Sequence, residues 1–168
     1  FRFVTRLWRL FRDNLEAIKS AEPFLGLSGG EMPADTEARI SALSDSAKDF
    51  CRIIHNTVKR VTDDMEIRYQ FNTAIAALME LSNAMYKIKL DSDKDMPGLF
   101  RDACDAMTIM LAPFAPHLAE ELWSELGNND MIADKGRWPQ YHEAALKQDL
   151  ITMVVQINGK VRGRLEVS

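Results

Sequence analysis

The sequence predicts an all-α fold, an antiparallel four-helix bundle, followed by a short C-terminal β-hairpin. Apolar residues recur at steps of three and four through most of residues 1–126, the period of a helix with one buried face. No alternating, strand-like run interrupts those stretches, so helix must pack on helix. From Ile151 onward the period becomes two, and Asn158-Gly159 separates two alternating runs, which is a hairpin signal.

Residues 1–20 place Phe3, Val4, Leu7, Trp8, Phe11, Leu15 and Ile18 on one face and read as the first helix. Glu22-Pro23 and the glycines between Gly26 and Pro33 end it in a loop. Ile40, Leu43, Ala47, Phe50, Ile54, Val58, Val61 and Met65 then carry one stripe through about seven turns, the second and longest helix. Phase is lost near Tyr69, and Asn72 is placed to cap a third helix that runs to about Leu90 through Ile75, Leu78, Leu81, Met85 and Ile88. After the polar stretch DSDKDMPG, Pro97 near the first turn opens a fourth helix through Phe100, Ala103, Met107 and Leu111. In APFAPHLAEELW, Pro113 and Pro116 each remove a backbone donor and crowd the preceding turn. The helix must bend or restart there before Leu118, Leu122 and Leu126 continue its apolar face.

Residues 127–149 read as a connecting segment returning over the bundle, and residues 150–168 as the hairpin, so three units are expected: 1–126, 127–149 and 150–168. A two-residue turn at Asn158-Gly159 would set Val155 opposite Arg162 and Met153 opposite Arg164. A three-residue loop, Ile157–Gly159, with Gly159 left-handed, instead gathers Ile151, Met153, Val155, Val161, Gly163 and Leu165 on one side. It leaves Gln156, Lys160, Arg162 and Arg164 on the other, and is the register expected.

Composition narrows the function classes. A chain of 168 residues buries a sizeable core without disulfides or metal. No apolar run approaches the ~20 residues that cross a bilayer, so no membrane partner is expected. Cys51 and Cys104 are too few for a disulfide framework and sit in helical apolar patterns, which fits a reducing cytoplasm. The net charge of −4 argues against holding nucleic acid by bulk attraction, which leaves only local basic rows for that task. The start at Phe1 and the end inside a strand-like run predict a piece of a longer polypeptide, with any catalytic centre elsewhere.

Each candidate site has a bland reading beside the sharp one. His117 with Glu120 and Glu121 has the spacing of a base and its orienting carboxylate, yet no nucleophile or glycine-rich loop accompanies it. The same residues suit a helix start with acids near its N-terminus. Cys51 and His55 are four apart, but zinc needs four ligands and none matches; no metal is expected. Met65, Met85 and Met107 lie on apolar stripes and read as core. Arg2, Arg6 and Arg9 form one basic line on the first helix. Lys48, Arg52, His55 and Lys59, spaced four, three and four, form another on the second, and Lys160, Arg162 and Arg164 a third on the hairpin. Such rows suit a phosphate backbone; they equally suit a solvated face with weak helical ion pairs.

The segments RFVTRLWRL, IHNTVKRVTDDMEIRYQFNTAIAALMEL, LAPFAPHLAEELW, WP and VVQINGKVRG, in that order, resemble the C-terminal region of bacterial leucyl-tRNA synthetases over nearly the whole chain. QFNTAIAALMEL and LAPFAPHLAEELW are similar to the anticodon-binding helical bundle shared by the class I synthetases for leucine, isoleucine, valine and methionine. VVQINGKVRG resembles the start of the small C-terminal domain of the leucyl branch. The resemblance implies a bundle that docks along tRNA(Leu), while an upstream catalytic domain performs ATP-dependent leucylation. ATP and Mg2+ are then cofactors of the full-length enzyme, and none is expected for these residues. Neither the His-Ile-Gly-His nor the Lys-Met-Ser-Lys-Ser type of signature is present, so no catalytic residue is expected here. Lys48, Arg52, His55, Lys59, Lys160 and Arg162 are the expected tRNA-backbone contacts. The alternatives are the bundle of another class I synthetase, isoleucyl, valyl or methionyl, or a freestanding helical module that holds a partner helix.

Overall fold

The computed structural model describes residues 2–28 and 30–147 in full, and the backbone of strands Ile151–Ile157 and Lys160–Val167. Nine helices occur among the described residues: α1 Arg2–Asp13, α2 Leu15–Ser20, α3 Thr36–Ser41, α4 Asp45–Glu66, α5 Phe71–Met85, α6 Met96–Leu111, α7 Pro116–Glu125, α8 Ile132–Lys135 and α9 Glu143–Leu146.

Two expected helices are each divided. The first breaks at Asn14, whose side-chain amide donates to the Leu10 carbonyl at 2.8 Å and competes with the helical ladder. The second is α3 plus α4. Ser44 adopts extended dihedrals (φ −66°, ψ 162°) and its hydroxyl accepts the Ala47 N–H, so a new helix starts inside the apolar stripe. The stripe persists across the break because Leu43 is buried in the connecting turn. Asn72 does not cap α5: Gln70 holds the N-cap position, and Tyr69 before it reverses the chain at φ 52°. That helix ends at Met85, short of the expected Leu90.

The proline reading of APFAPHLAEELW holds. Past α6, the N–H groups of Phe114 and Ala115 both donate to the Leu111 carbonyl at 2.9 Å. Pro116 then opens α7, where its missing donor costs nothing.

Helix α4 packs against α3, α5, α6 and α9, while α6 also meets α2, α5 and α7, and α1 lies along α7. Between α4 and α6, Phe50 and Phe100 stack with ring centroids 6.4 Å apart. Around them Leu7, Phe11, Ile18, Ile54, Leu78, Leu81, Met85 and Met107 are almost wholly removed from water. Each such side chain contributes on the order of 1.5–3 kcal/mol of transfer free energy. Cys51 and Cys104 are free thiols within this core.

Two side chains of α6, partly buried Arg101 and buried Asp102, tie distant segments together. Arg101 on α6 donates to both oxygens of Asp105 (3.1 and 3.0 Å) and reaches the carbonyls of Ile18 and Leu126. Asp102 accepts the N–H groups of Leu25 at 2.7 Å and Gly26 at 2.9 Å, pinning the loop after α2 against α6.

Residues 127–147 carry α8 and α9, and α9 packs back on α3 and α4. Residues 137–147 form a strap: Trp138 Nε1 donates to Thr62 Oγ1 at 2.9 Å and the Gln140 N–H to the Leu27 carbonyl at 3.1 Å.

The two strands, β1 Ile151–Ile157 and β2 Lys160–Val167, pair antiparallel. Ile157 opposite Lys160 leaves two residues between the strands, which overturns the expected three-residue loop. An irregularity beyond Val155/Gln156 leaves Arg162 without an opposite residue. It sets Val155 opposite Gly163, Met153 opposite Leu165 and Ile151 opposite Val167. A bulge inside β2 thus restores the expected phase for Gly163 and Leu165 only; Val161, opposite Gln156, and Lys160, opposite Ile157, depart from the expected grouping. The conformation of Gly159 and the turn at Asn158 lie outside the described residues.

Candidate nucleic-acid interface

Helix α4 presents its basic row toward α3 and the strap. Lys48 and Arg52 line a cleft of about 250 Å³ with Glu37, Ile40, Ala144 and Lys147. Arg52 donates to Asp49 at 2.6 Å, one turn earlier on the same helix. Lys59 donates to the Tyr141 hydroxyl at 3.3 Å, lies 4.8 Å from that ring's centroid and is 3.8 Å from Asp63. The bond to Tyr141, then the charge of Asp63, raises its pKa.

His55 corrects the expected site. It is 1% exposed, and its Nδ1 accepts the His142 N–H at 3.0 Å. The strap covers the imidazole, so it cannot reach a phosphate; it anchors the strap instead. Burial first, and the neighbouring His142 second, lower its pKa from 6.5 to about 4, which keeps it a neutral acceptor near pH 7. The side chains of Lys160 and Arg162 lie outside the described residues.

The row on α1 is freer. Arg2, Arg6 and Arg9 are exposed, and none forms an ion pair with a described acid. The Arg6 guanidinium sits 4.9 Å from the centroid of the Tyr86 ring, whose hydroxyl donates to the Arg6 carbonyl. Arg2 and Arg6 line a second cleft, with Phe3, Met79, Ser82 and Asn83. The two rows therefore border separate clefts, one beside α5 and one beside α3 and α9.

The sharper alternatives find no geometry. His117 is exposed, and Glu120 spends both carboxylate oxygens on the Ile132 N–H at the start of α8, each at 3.1 Å. No acid occupies the first turn of α7, so the dipole argument for Glu120 and Glu121 also fails. Burial pushes the Cys51 thiol up to about 12. Among the described residues no group of three or more His, Cys, Asp or Glu could hold a metal ion, and no helix is long and apolar enough to cross a membrane.

Sequence reasoning missed Lys147, Tyr141 and Glu37. Tyr141 and Lys147 join the α4 row only through the strap, across 82 residues of chain for Lys59 and Tyr141, while Glu37 joins it from α3; Tyr141-His142 just after Trp138-Pro139 was the one local hint.

The described helices hold one another through Arg101 and Asp102 and leave Arg2, Arg6 and Arg9 of α1 at the surface, which defines a helical domain with an exposed basic row. Its lineage follows from comparison. Residues 47–168 match the family model described as the anticodon-binding domain of tRNA ligase. The chain belongs to that family. It is 39% identical over 168 residues to a leucine–tRNA ligase of Geobacter sp. (strain M21), covering 100% of this chain and 19% of that protein. It is 40% identical over 166 residues to a leucine–tRNA ligase of Synechococcus sp. (strain JA-2-3B'a(2-13)), covering 99% of this chain and 18% of that protein. Among solved structures it is similar to LeuRS of Agrobacterium radiobacter K84 in a ternary complex with tRNA and LeuAMS. There the TM-score is 0.74 at 30% identity, over 99% of this chain and 20% of that one. The chain thus spans about a fifth of the length of the curated relatives it matches.

Proposed function

We propose that the chain is the tRNA-binding region of a leucine–tRNA ligase and positions tRNA(Leu) for ATP-dependent leucylation in another part of a longer polypeptide. The observation that carries this reading is the alignment of the whole chain with leucine–tRNA ligases at 39% identity. In this reading α1/α2, α3/α4, α5 and α6/α7 form the four-helix bundle of residues 1–126, the strap lies in the connecting segment 127–149, and the strands are a C-terminal β-hairpin of residues 150–168. ATP and Mg2+ belong to the remainder of the enzyme, and the setting is cytoplasmic.

The mechanism is positioning. Lysine and arginine side chains meet backbone phosphates and release counterions, which makes affinity fall with salt. Lys48, Arg52 and Lys59 are the contacts proposed on α4, and Lys160 and Arg162 those on β2. The exposed arginines of α1 are a second row for the same RNA, reached from a different side.

A titration of the folded chain with tRNA(Leu) transcript at several salt concentrations tests this. Affinity should fall as salt rises, and Arg52→Ala with Lys59→Ala should weaken it. Binding that ignores salt and both substitutions would favour a helical module that takes a protein partner.

A further inference from the structure

The cleft between α3, α4 and α9 collects cations from two distant parts of the chain. Lys48 and Arg52 come from α4, and Lys147 follows α9. Three hydrogen bonds fix the strap that delivers Lys147: Trp138 to Thr62, Gln140 to Leu27 and His142 to His55. The acidic partners face solvent. Glu37 stands 3.9 Å from Lys147 with both side chains about 70% exposed, and Asp49 beside Arg52 is 64% exposed. Exposed pairs of this kind are weak, whereas an oxyanion shared by several cations forms charge-assisted bonds to each.

We propose that this cleft binds a phosphodiester of the RNA backbone, with Lys147 completing the grip that Lys48 and Arg52 begin. The proposal rests on the tRNA reading and adds a condition to it: the strap must be seated for the third cation to be in place. Glu37 is the opposing charge in the cleft, so its removal works in the opposite direction to the loss of Lys147. A free phosphate ion has the same chemistry, and the two sources separate on titration.

The test titrates the full chain with tRNA(Leu) transcript over a range of salt, and separately with inorganic phosphate, for Lys147→Ala, Glu37→Gln and Lys135→Ala. Lys147→Ala is expected to weaken RNA binding by about 3- to 10-fold and to lower the salt slope by about 1. Glu37→Gln is expected to tighten binding, and Lys135→Ala, at an exposed position of α8, to change neither quantity. Unchanged RNA affinity in Lys147→Ala, alongside weakening by Arg52→Ala with Lys59→Ala, overturns the proposal and leaves the tRNA reading standing. No weakening by any of these overturns both. Saturable binding of inorganic phosphate with no effect of Lys147→Ala on RNA also overturns it, since the cleft then serves a free anion.

Discussion

His55 and His142 meet through one bond, the His142 N–H on His55 Nδ1 at 3.0 Å, and that bond joins the longest helix to the strap. The imidazole must be unprotonated at Nδ1 to accept it. With the folded pKa at about 4 against 6.5 unfolded, the unfolded chain binds more protons between those values. Stability from this group is therefore complete above pH 6.5 and is lost as pH falls through about 4, a total of roughly 3 kcal/mol. His55→Leu removes that acid-sensitive contribution. It leaves the His142 N–H unpaired, at about 1–3 kcal/mol near neutrality. Urea midpoints at pH 7.5 and 5 should shift differently in variant and parent; identical shifts would refute the assignment.

Asp102 acts with the opposite sign. Burial raises its pKa from 3.8 to about 7, against the lowering effect of the Leu25 and Gly26 donors. Between those values the folded chain binds more protons, so acidification stabilises this site while it weakens the one at His55. Asp102→Ala strands the two backbone donors, and a loss of about 3 kcal/mol or more is expected. Asp102→Asn keeps one acceptor and should cost less. Thermal melts of both variants at pH 7 decide it.

Gly98 lies in α6 where the chain after α2 crosses closely. A Cβ there would come within 2.9 Å of the Glu22 carbonyl oxygen and 3.2 Å of Phe24 Cβ. The nearest of these is backbone and cannot swing aside. Gly98→Ala gains about 1 kcal/mol of helix propensity but must displace that crossing, so a net loss of about 1–3 kcal/mol is expected by denaturant titration. An increase in stability would show that the crossing yields.

Tyr69 is 72% exposed and holds φ 52°, a conformation that costs an L side chain on the order of 1 kcal/mol. Tyr69→Gly should raise the melting temperature slightly, because little packing is lost. A fall would mean that the ring contributes contacts its exposure does not show.

Where the sequence spoke through period, it was legible. The stripes from Phe3 to Leu126 located the helical core, and Pro113 and Pro116 located the break between α6 and α7. Breaks made by short polar side chains were not legible, because Asn14 and Ser44 interrupt the backbone without interrupting the apolar spacing around Leu15 and Leu43. The site was half legible for a related reason. Spacing places Lys48, Arg52, His55 and Lys59 on one side of a helix, but whether that side meets water is decided by the strap, and His142 is 87 residues from His55. In β1 and β2 the alternation identified two strands but not their register: Val155, Met153 and Ile151 each pair two residues further along than the three-residue loop implied, because the bulge at Arg162 leaves no trace in residue type.

The two native thiols, sealed in the core with burial raising Cys51 to about 12 and raising Cys104 as well, have a practical corollary. They are poor targets for maleimides at neutral pH, since the thiolate is the reacting species. A single cysteine engineered onto the strap would then take a fluorophore by itself, in an otherwise unaltered chain, and report directly on whether the strap lifts.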